Sequence, residues 1–382
     1  MKSAVGCTFL VVMSCYAYSQ SVDNEVKLSD LAVPTSPAFI ITDISPSTFQ
    51  TPTTPKSFIL GLVQSYEESS DGFPQNYSAE FAPYWWLNPA KRNVYSFLGI
   101  ENPRANSADS VAKENPFSGL KFTTVSLAFL KKDLIADTLD NAQKMFSLGV
   151  RTTILKFHNK KYAAAINAKV KEWHRLTQLE IAVVQEKLTR ASDAERAELL
   201  QEFTNFKPKN TAAKLKEISE LIAQKPLFSW DIAGAFATYG VGDSTWKAGR
   251  TGVWTTLSTY LPLGKEKEIQ KNYFNLNLVV RYLRDNYHGN EEGVLSRANN
   301  LDVGGKIALE INKLSIGYEA LFRYVDGKGS PQNRNVGIIN YRIADNIYLN
   351  GAYGENFDLP GKLVALFGIT WGIGSETVKL PN

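Results

Sequence analysis

Cysteine is nearly absent. The 382 residues hold two, Cys7 and Cys15, both close to the start. With residues 1–19 read as a leader, the remaining chain has none, which excludes a disulfide framework and a thiolate metal site. Histidine is almost as scarce. His158, His174 and His288 are well separated, with no HxH or HxxxH spacing, so no metal centre is expected, nor any cofactor. Neither sign of charge dominates. Against 42 Lys and Arg stand 38 Asp and Glu, a formal charge of +4 without a basic stripe, which argues against a nucleic-acid partner. Long hydrophobic runs are missing after residue 20, whereas a membrane helix needs about 20 consecutive apolar residues. Motifs for catalysis are missing too. There is no GxSxG and no P-loop, and Ser147 and His158 lie at opposite ends of one candidate strand, too far apart for a dyad. No catalytic residue is assigned and the chain is not expected to be an enzyme.

What is present begins with an export signal over residues 1–19. Lys2 supplies the positive end, residues 4–13 a short apolar stretch, and Ala17 and Ser19 a small-residue cleavage pattern before Gln20. A lipoprotein signal ending at Cys15 is the alternative, which Val12, Met13 and Ser14 fit poorly. Residues 20–56 are rich in Pro, Ser and Thr. Pro34, Pro37, Pro46, Pro52 and Pro55 rule out a central strand there. The apolar run at 38–41 makes this segment either a plug packed under a barrel mouth or a linker.

From Lys56 on, apolar and polar residues alternate with a period of two. Leu314, Ile316, Tyr318, Ala320, Phe322 and Tyr324, interleaved with Ser315, Gly317, Glu319 and Arg323, are a clear case. Twelve runs result: 57–67, 76–87, 119–131, 144–157, 227–240, 249–261, 272–284, 299–311, 313–325, 334–343, 346–354 and 361–374. The clearest exceed the five or six residues usual in globular strands and match the roughly nine to eleven of a tilted membrane strand. The expected fold is therefore an all-β transmembrane antiparallel barrel of about twelve strands. Its strands occupy 57–159 and 226–374, followed by a tail at 375–382. A helical insertion interrupts it at 160–225, where Ile166, Val170, Trp173, Val184 and Leu188 recur at helical spacing. Ser192 and Glu195 have capping-box spacing before a second helix, and a third starts near Thr211. With both chain ends taken as periplasmic, as an even strand number allows, strand parity puts the insertion and residues 88–118 on the periplasmic side.

Alternation points Glu80, Arg151, Asp231, Arg281, Asp302, Lys306, Glu310, Glu319, Arg323 and Arg342 into the lumen. Their signs balance, which suits internal ion pairs in a filled barrel or a polar pore lining without strong selectivity. Trp85, Trp230, Tyr282, Tyr324, Tyr341 and Trp371 are candidates for the aromatic girdles at the membrane interfaces. A stripe of aromatics would also suit sugar stacking. The insertion is a self-packed bundle, a cap, or a docking platform for a protein partner.

The leader ending in Ser-Gln, the segment LAVPTSPAFIITDISPSTFQTPTTPKSF and the strand FPQNYSAEFAPYWWL resemble uncharacterised outer-membrane barrel proteins of the Bacteroidota. The N-terminal likeness covers roughly residues 30–87; beyond it only the general barrel pattern is shared. It implies fold and location in the cell outer membrane, with membrane lipid as a partner, and no mechanism. One departure is the end of the chain, where Trp371 is followed by eleven more residues instead of ending on an aromatic. The expected function is a passive channel or transporter for small solutes. The alternative is an anchoring subunit that recruits periplasmic partners through the insertion.

Overall fold

A computed structural model describes residues 25–27, 36–43, 58–59, 77–88, 92–101, 112–132, 143–192, 195, 211–241, 245–264, 269–289, 295–344, 347–357, 363–372 and 377–380. The leader expected at 1–19 lies outside these, as does the second helix expected after Ser192, apart from Glu195. Antiparallel sheet dominates among the described residues. Among the described residues no helix is long and apolar enough to cross a membrane.

The sheet proper has ten strands: β6 (Thr124–Lys132), β7 (Gln143–Phe157), β8 (Phe228–Val241), β9 (Thr245–Pro262), β10 (Asn272–Gly289), β11 (Leu295–Ile311), β12 (Leu314–Val325), β13 (Gln332–Ala344), β14 (Ile347–Glu355) and β15 (Leu363–Gly372). Each pairs antiparallel with the next in sequence. The tightest connection is the two-residue turn between β11 and β12, where Asn312 takes the left-handed conformation at φ 52°, a geometry asparagine tolerates better than most residues. Beyond β6 lies the short β3 (Tyr77–Phe81). β2 (Phe58–Ile59) pairs with β15 on one side and β3 on the other, two residue pairs each. That link is slight beside the long ladders elsewhere.

One face of the sheet is buried and polar, the other exposed and apolar. Along β10, buried Asn275, Asn277, Arg281 and Asp285 alternate with Leu276, Leu278, Val280 and Tyr282, which are 40%, 52%, 46% and 47% exposed. β11 repeats this, with Asp302, Lys306 and Glu310 buried between exposed Leu301, Val303, Ile307, Leu309 and Ile311. This reverses the arrangement of a protein folded in water, where burial of apolar side chains drives the fold.

At the end of the sheet where β7 stops and β8 starts sits a second body with an ordinary apolar core. It comprises α4 (Tyr162–Arg190) and α5 (Thr211–Ile222), together with the connection from β3 to β6. That connection folds as α2 (Pro83–Leu87), α3 (Val94–Leu98), the hairpin of β4 (Ile100–Glu101) with β5 (Lys113–Glu114), and a 3-10 turn at Pro116–Phe122. β1 (Glu25–Lys27) and β16 (Thr377–Lys379) pair with each other and join the same core through Val26, Val378 and Leu380. Trp85, Phe97, Phe122, Ile166, Val170, Trp173, Ile218 and Leu221 fill it. Gly99 ends α3 at φ 70° beside Ser118, where a Cβ would come within 2.0 Å of the serine Cβ. Glycine is required there. We call this body the cap.

Two expectations are corrected here. The run 76–87 is not one strand: Pro83 at the first turn of α2 ends β3 at Phe81 and turns the chain into the cap. The cap is also larger than the 160–225 insertion, because residues 82–123 and both ends of the chain complete its core. The tail at 375–382 thus carries a structural strand.

Candidate functional site

The buried face surrounds a short segment of the proline-rich stretch, α1 (Pro37–Ile40), with its flanks Ser36 and Ile41 to Asp43. Pro37 stands at the first helical position and Ser36 caps it, its Oγ accepting from the Phe39 amide at 3.2 Å. Both devices favour a helix start. Thr42 donates to the Phe39 carbonyl at 2.7 Å.

Three serines hold the front of the segment. Ser36 Oγ lies 2.6 Å from Ser78 Oγ on β3, the Ala38 amide donates to Ser126 on β6 at 3.1 Å, and Ser147 on β7 donates to the Ala38 carbonyl. Gly149 on β7 provides the space: a Cβ there would come within 2.6 Å of the Ala38 nitrogen. Apolar contacts continue the packing. Phe39 and Ala38 meet Ala128, Leu130, Met145 and Tyr239, while Ile40 and Ile41 meet Ala233, Trp254, Val279, Leu283, Leu321 and Phe357. One segment of eight residues therefore touches the sheet from β3 round to β12.

Asp43 closes the segment and is the centre of its electrostatics. It too is left-handed, at φ 57°. Its Oδ1 accepts from Arg281 Nη2 at 2.9 Å, and its Oδ2 from Arg250 Nη1 at 2.9 Å and Arg323 Nη2 at 3.0 Å. The arginines come from three strands, β10, β9 and β12. The sheet supplies further carboxylates: Asp285 accepts from Arg250 Nε at 2.7 Å, and Asp302 accepts from Arg281 Nε and Arg323 Nε, each at 2.8 Å. The Phe357 ring lies 3.7 Å from the Arg323 guanidinium carbon, an attractive placement for a cation. The Arg281 and Arg250 groups also donate to the Ile40 and Ile41 carbonyls, at 3.4 and 3.2 Å. Buried charges are tolerable only when paired and fully hydrogen-bonded, and this cluster meets that condition.

Of the expected lumen residues, Glu80, Arg151, Asp231, Arg281, Asp302, Lys306, Glu310, Glu319 and Arg323 are all buried. They form separate groups. Glu80 pairs with Arg151 at 3.2 Å and with Thr124, and Asp231 accepts from Thr153 and Ser229. Glu319 accepts from Arg334 at 2.9 Å, while Arg281, Asp302 and Arg323 belong to the Asp43 cluster. Arg342 is half-buried near the cap end of β13. Sequence reasoning missed Arg250, Asp285, Arg334 and Asp43. The first three sit on the inward register of their strands, so alternation could have found them. Nothing in the sequence links Asp43 to them.

Among the girdle candidates, Trp230, Tyr282, Tyr324 and Tyr341 are exposed on the outer face near strand ends, between 37% and 52%. Trp371 is described by its backbone alone. Trp85 is a correction. At 3% exposed it packs on Phe97 and Phe122 in the cap core, because α2 directs it inward, and its neighbour Trp86 is the exposed one.

Where cap meets sheet there is a cavity of about 620 Å³, lined by His158, Tyr162, Gln224, Lys225, Gln270 and Tyr273 among others. His158 is committed to its neighbours. Its Nδ1 lies 2.7 Å from Glu114 Oε1, its backbone amide donates to Oε2 at 3.0 Å, and its ring stacks on Tyr162 at 4.0 Å. Burial pushes the His158 pKa down, against the pull of Glu114. Burial raises Glu114, but the hydrogen bonds and charge of His158 outweigh it and hold that carboxyl below its ordinary value. Burial likewise lifts the Tyr162 phenol well above its usual range. This arrangement ties β5 to the start of α4. Among the described residues no group of His, Cys, Asp or Glu is placed to hold a metal ion.

Comparison with protein-family models, with curated proteins and with solved structures finds no match for this chain.

Proposed function

We propose that the chain is an outer-membrane β-barrel, closed through β2, whose lumen is shut by residues 36–43 and which serves to hold the cap at one face of the membrane. The observation that carries this reading is the inversion of the sheet. Its exposed face carries large apolar side chains on strand after strand, from Leu148 and Val150 on β7 to Ile347 and Tyr353 on β14, whereas soluble monomers rarely expose large contiguous apolar patches. Its enclosed face holds ion pairs. In lipid every backbone group must be satisfied within the protein, which a closed sheet achieves and an open one does not. The leader pattern and the N-terminal likeness to Bacteroidota barrels point the same way. The plug and the balanced charges disfavour an open pore, and the cap, with its own core, is the part able to bind a protein partner.

Membrane fractionation tests the location. The expected result is recovery in the outer membrane, as a species resistant to SDS until heated; a soluble periplasmic chain would end the proposal. We take the chain ends to be periplasmic, and strand parity then puts the cap on that same side. Protease cleavage near Lys187 from outside intact cells would reverse it.

A gated conduit is the second reading, and one observation favours it. The plug is held by side chains and shares no backbone ladder with the wall, so it can leave without unzipping a strand. In planar bilayers the unmodified protein should then be silent, and Gly149→Val, which crowds the plug out, should conduct.

A further inference from the structure

The Asp43 cluster has a division of labour. Each arginine turns its Nε toward a carboxylate of the wall, Arg250 to Asp285 and both Arg281 and Arg323 to Asp302. Each turns a terminal nitrogen toward Asp43, and the Nη2 groups of Arg281 and Arg323 are shared with Asp302, at 2.6 and 3.0 Å. The wall carboxylates lie on β10 and β11, so they hold the guanidiniums in place with or without the plug. Three cations against two wall carboxylates leave one positive charge, and Asp43 neutralises it.

From this geometry we infer that Arg250, Arg281 and Arg323 form a carboxylate-binding site, which the chain fills with its own Asp43 and for which small carboxylate-bearing solutes compete. The arrangement suits a monoanion with two oxygens, because one oxygen of Asp43 takes one guanidinium and the other takes two. Planar forks of this kind match carboxylates closely. A dianion such as sulfate would overshoot the charge balance. The bonds from Arg281 and Arg250 to the Ile40 and Ile41 carbonyls add places for neutral carbonyl oxygens beside the charge. A short peptide with a free C-terminus offers both features. The inference stands on side-chain geometry and does not depend on the membrane placement.

The test starts with Asp43→Ala in the full chain, folded in detergent, and follows thermal unfolding with sodium acetate, sodium sulfate or sodium chloride at equal ionic strength. Loss of Asp43 leaves the three guanidiniums facing two carboxylates, an uncompensated positive charge within the cluster, so the midpoint should fall. Acetate should then restore it in a saturable way, as binding to the folded state alone requires. Chloride should not, and sulfate should do less than acetate; the unmodified protein should hardly respond. Equal effects of all three salts would overturn the site. Should Asp43→Ala not fold, Asp43→Asn keeps the volume and removes the charge, and the same ordering of salts is required of it. Competition has its own readout. Thr42→Cys in a Cys7→Ser, Cys15→Ser background places a thiol on the plug, where residue 42 is 1% exposed. Its labelling should accelerate several-fold in acetate over chloride, and an unchanged rate would overturn competition while leaving the rescue result to judge the site.

Discussion

Wall and cap are made from the same twenty amino acids by opposite rules. In the cap, Trp85, Phe97, Ile166, Val170 and Trp173 are inside, and the Lys and Glu residues of α4 are mostly outside. In the wall, Arg281, Asp302, Glu319 and Arg334 are inside while Leu278, Val280, Phe322 and Ile339 are outside. The cap is held by apolar burial, worth roughly 25 cal/mol per Å² removed from water. Such burial has a smaller part in the wall, whose outward positions are apolar and whose inward apolar side chains, such as Trp254, Val279 and Leu283, pack with the plug. Its strands are joined by their backbone ladders and by ion pairs across neighbouring inward positions, such as Arg281 opposite Asp302 and Asp302 opposite Arg323. Under the proposed membrane placement, water around the cap and lipid around the wall account for both rules.

Substitutions can break this contrast. The largest effect is expected in the cap core: Trp173→Ala should cost about 3–5 kcal/mol of cap stability and leave the wall folded. Near-UV circular dichroism beside heat-modifiability on gels separates the two, and joint loss of both signals would mean that wall and cap fold as one unit. On the wall, Leu278→Arg should cost about 2–4 kcal/mol of stability in lipid. A charge at Leu179, exposed on α4, should change stability by less than about 0.5 kcal/mol. Urea titrations in vesicles measure both, and equal costs would erase the distinction. Gly149→Val probes the plug between the two bodies. Overpacking of this kind typically costs about 1–3 kcal/mol, and residues 36–43 should become accessible to protease.

Acid sharpens the comparison further. His158 and Glu114 both have folded pKa values below their ordinary ones. Unfolding therefore takes up protons, and stability rises with pH across each window. Cap stability should begin to fall as pH drops through the ordinary 6.5 of histidine, and fall further below the ordinary 4.5 of a glutamate. Hydrogen exchange of α4 amides follows it, and Glu114→Gln should remove the lower step. The smallest change is expected at the half-buried ion-pair group of Lys169, Glu172, Lys214 and Glu217, which joins α4 to α5. Glu217→Gln should cost about 0.5 kcal/mol or less, and salt should abolish it.

The wall was legible because its signal is local. Period-two alternation placed β8 to β15 within a few residues of their observed ends, for example 272–284 expected against Asn272–Gly289, and it turned nine of ten charged residues to the buried side. It stopped working where elements shorten. Residues 82–123 make three short helical pieces and a two-residue hairpin, none long enough to show a period, so adjacent Trp85 and Trp86 read as strand. The plug was legible as an apolar run among prolines, but its role was not. What fixes that role is the meeting of Asp43 with Arg250, Arg281 and Arg323, some 207 to 280 positions away, and no window along the chain spans such a distance.

The pairing of β1 with β16 joins residues 25–27 to residues 377–379, almost the full length of the chain. Closing so long a loop is slow. Val26 and Val378 are wholly buried in the cap core, so that core stays incomplete until β16 has been synthesised and paired with β1. A truncated chain would present an unfinished apolar surface at the cap, a visible mark for proteolysis. The cap core is thus completed by segments far apart in sequence, and its packing reports on the folding of everything between them.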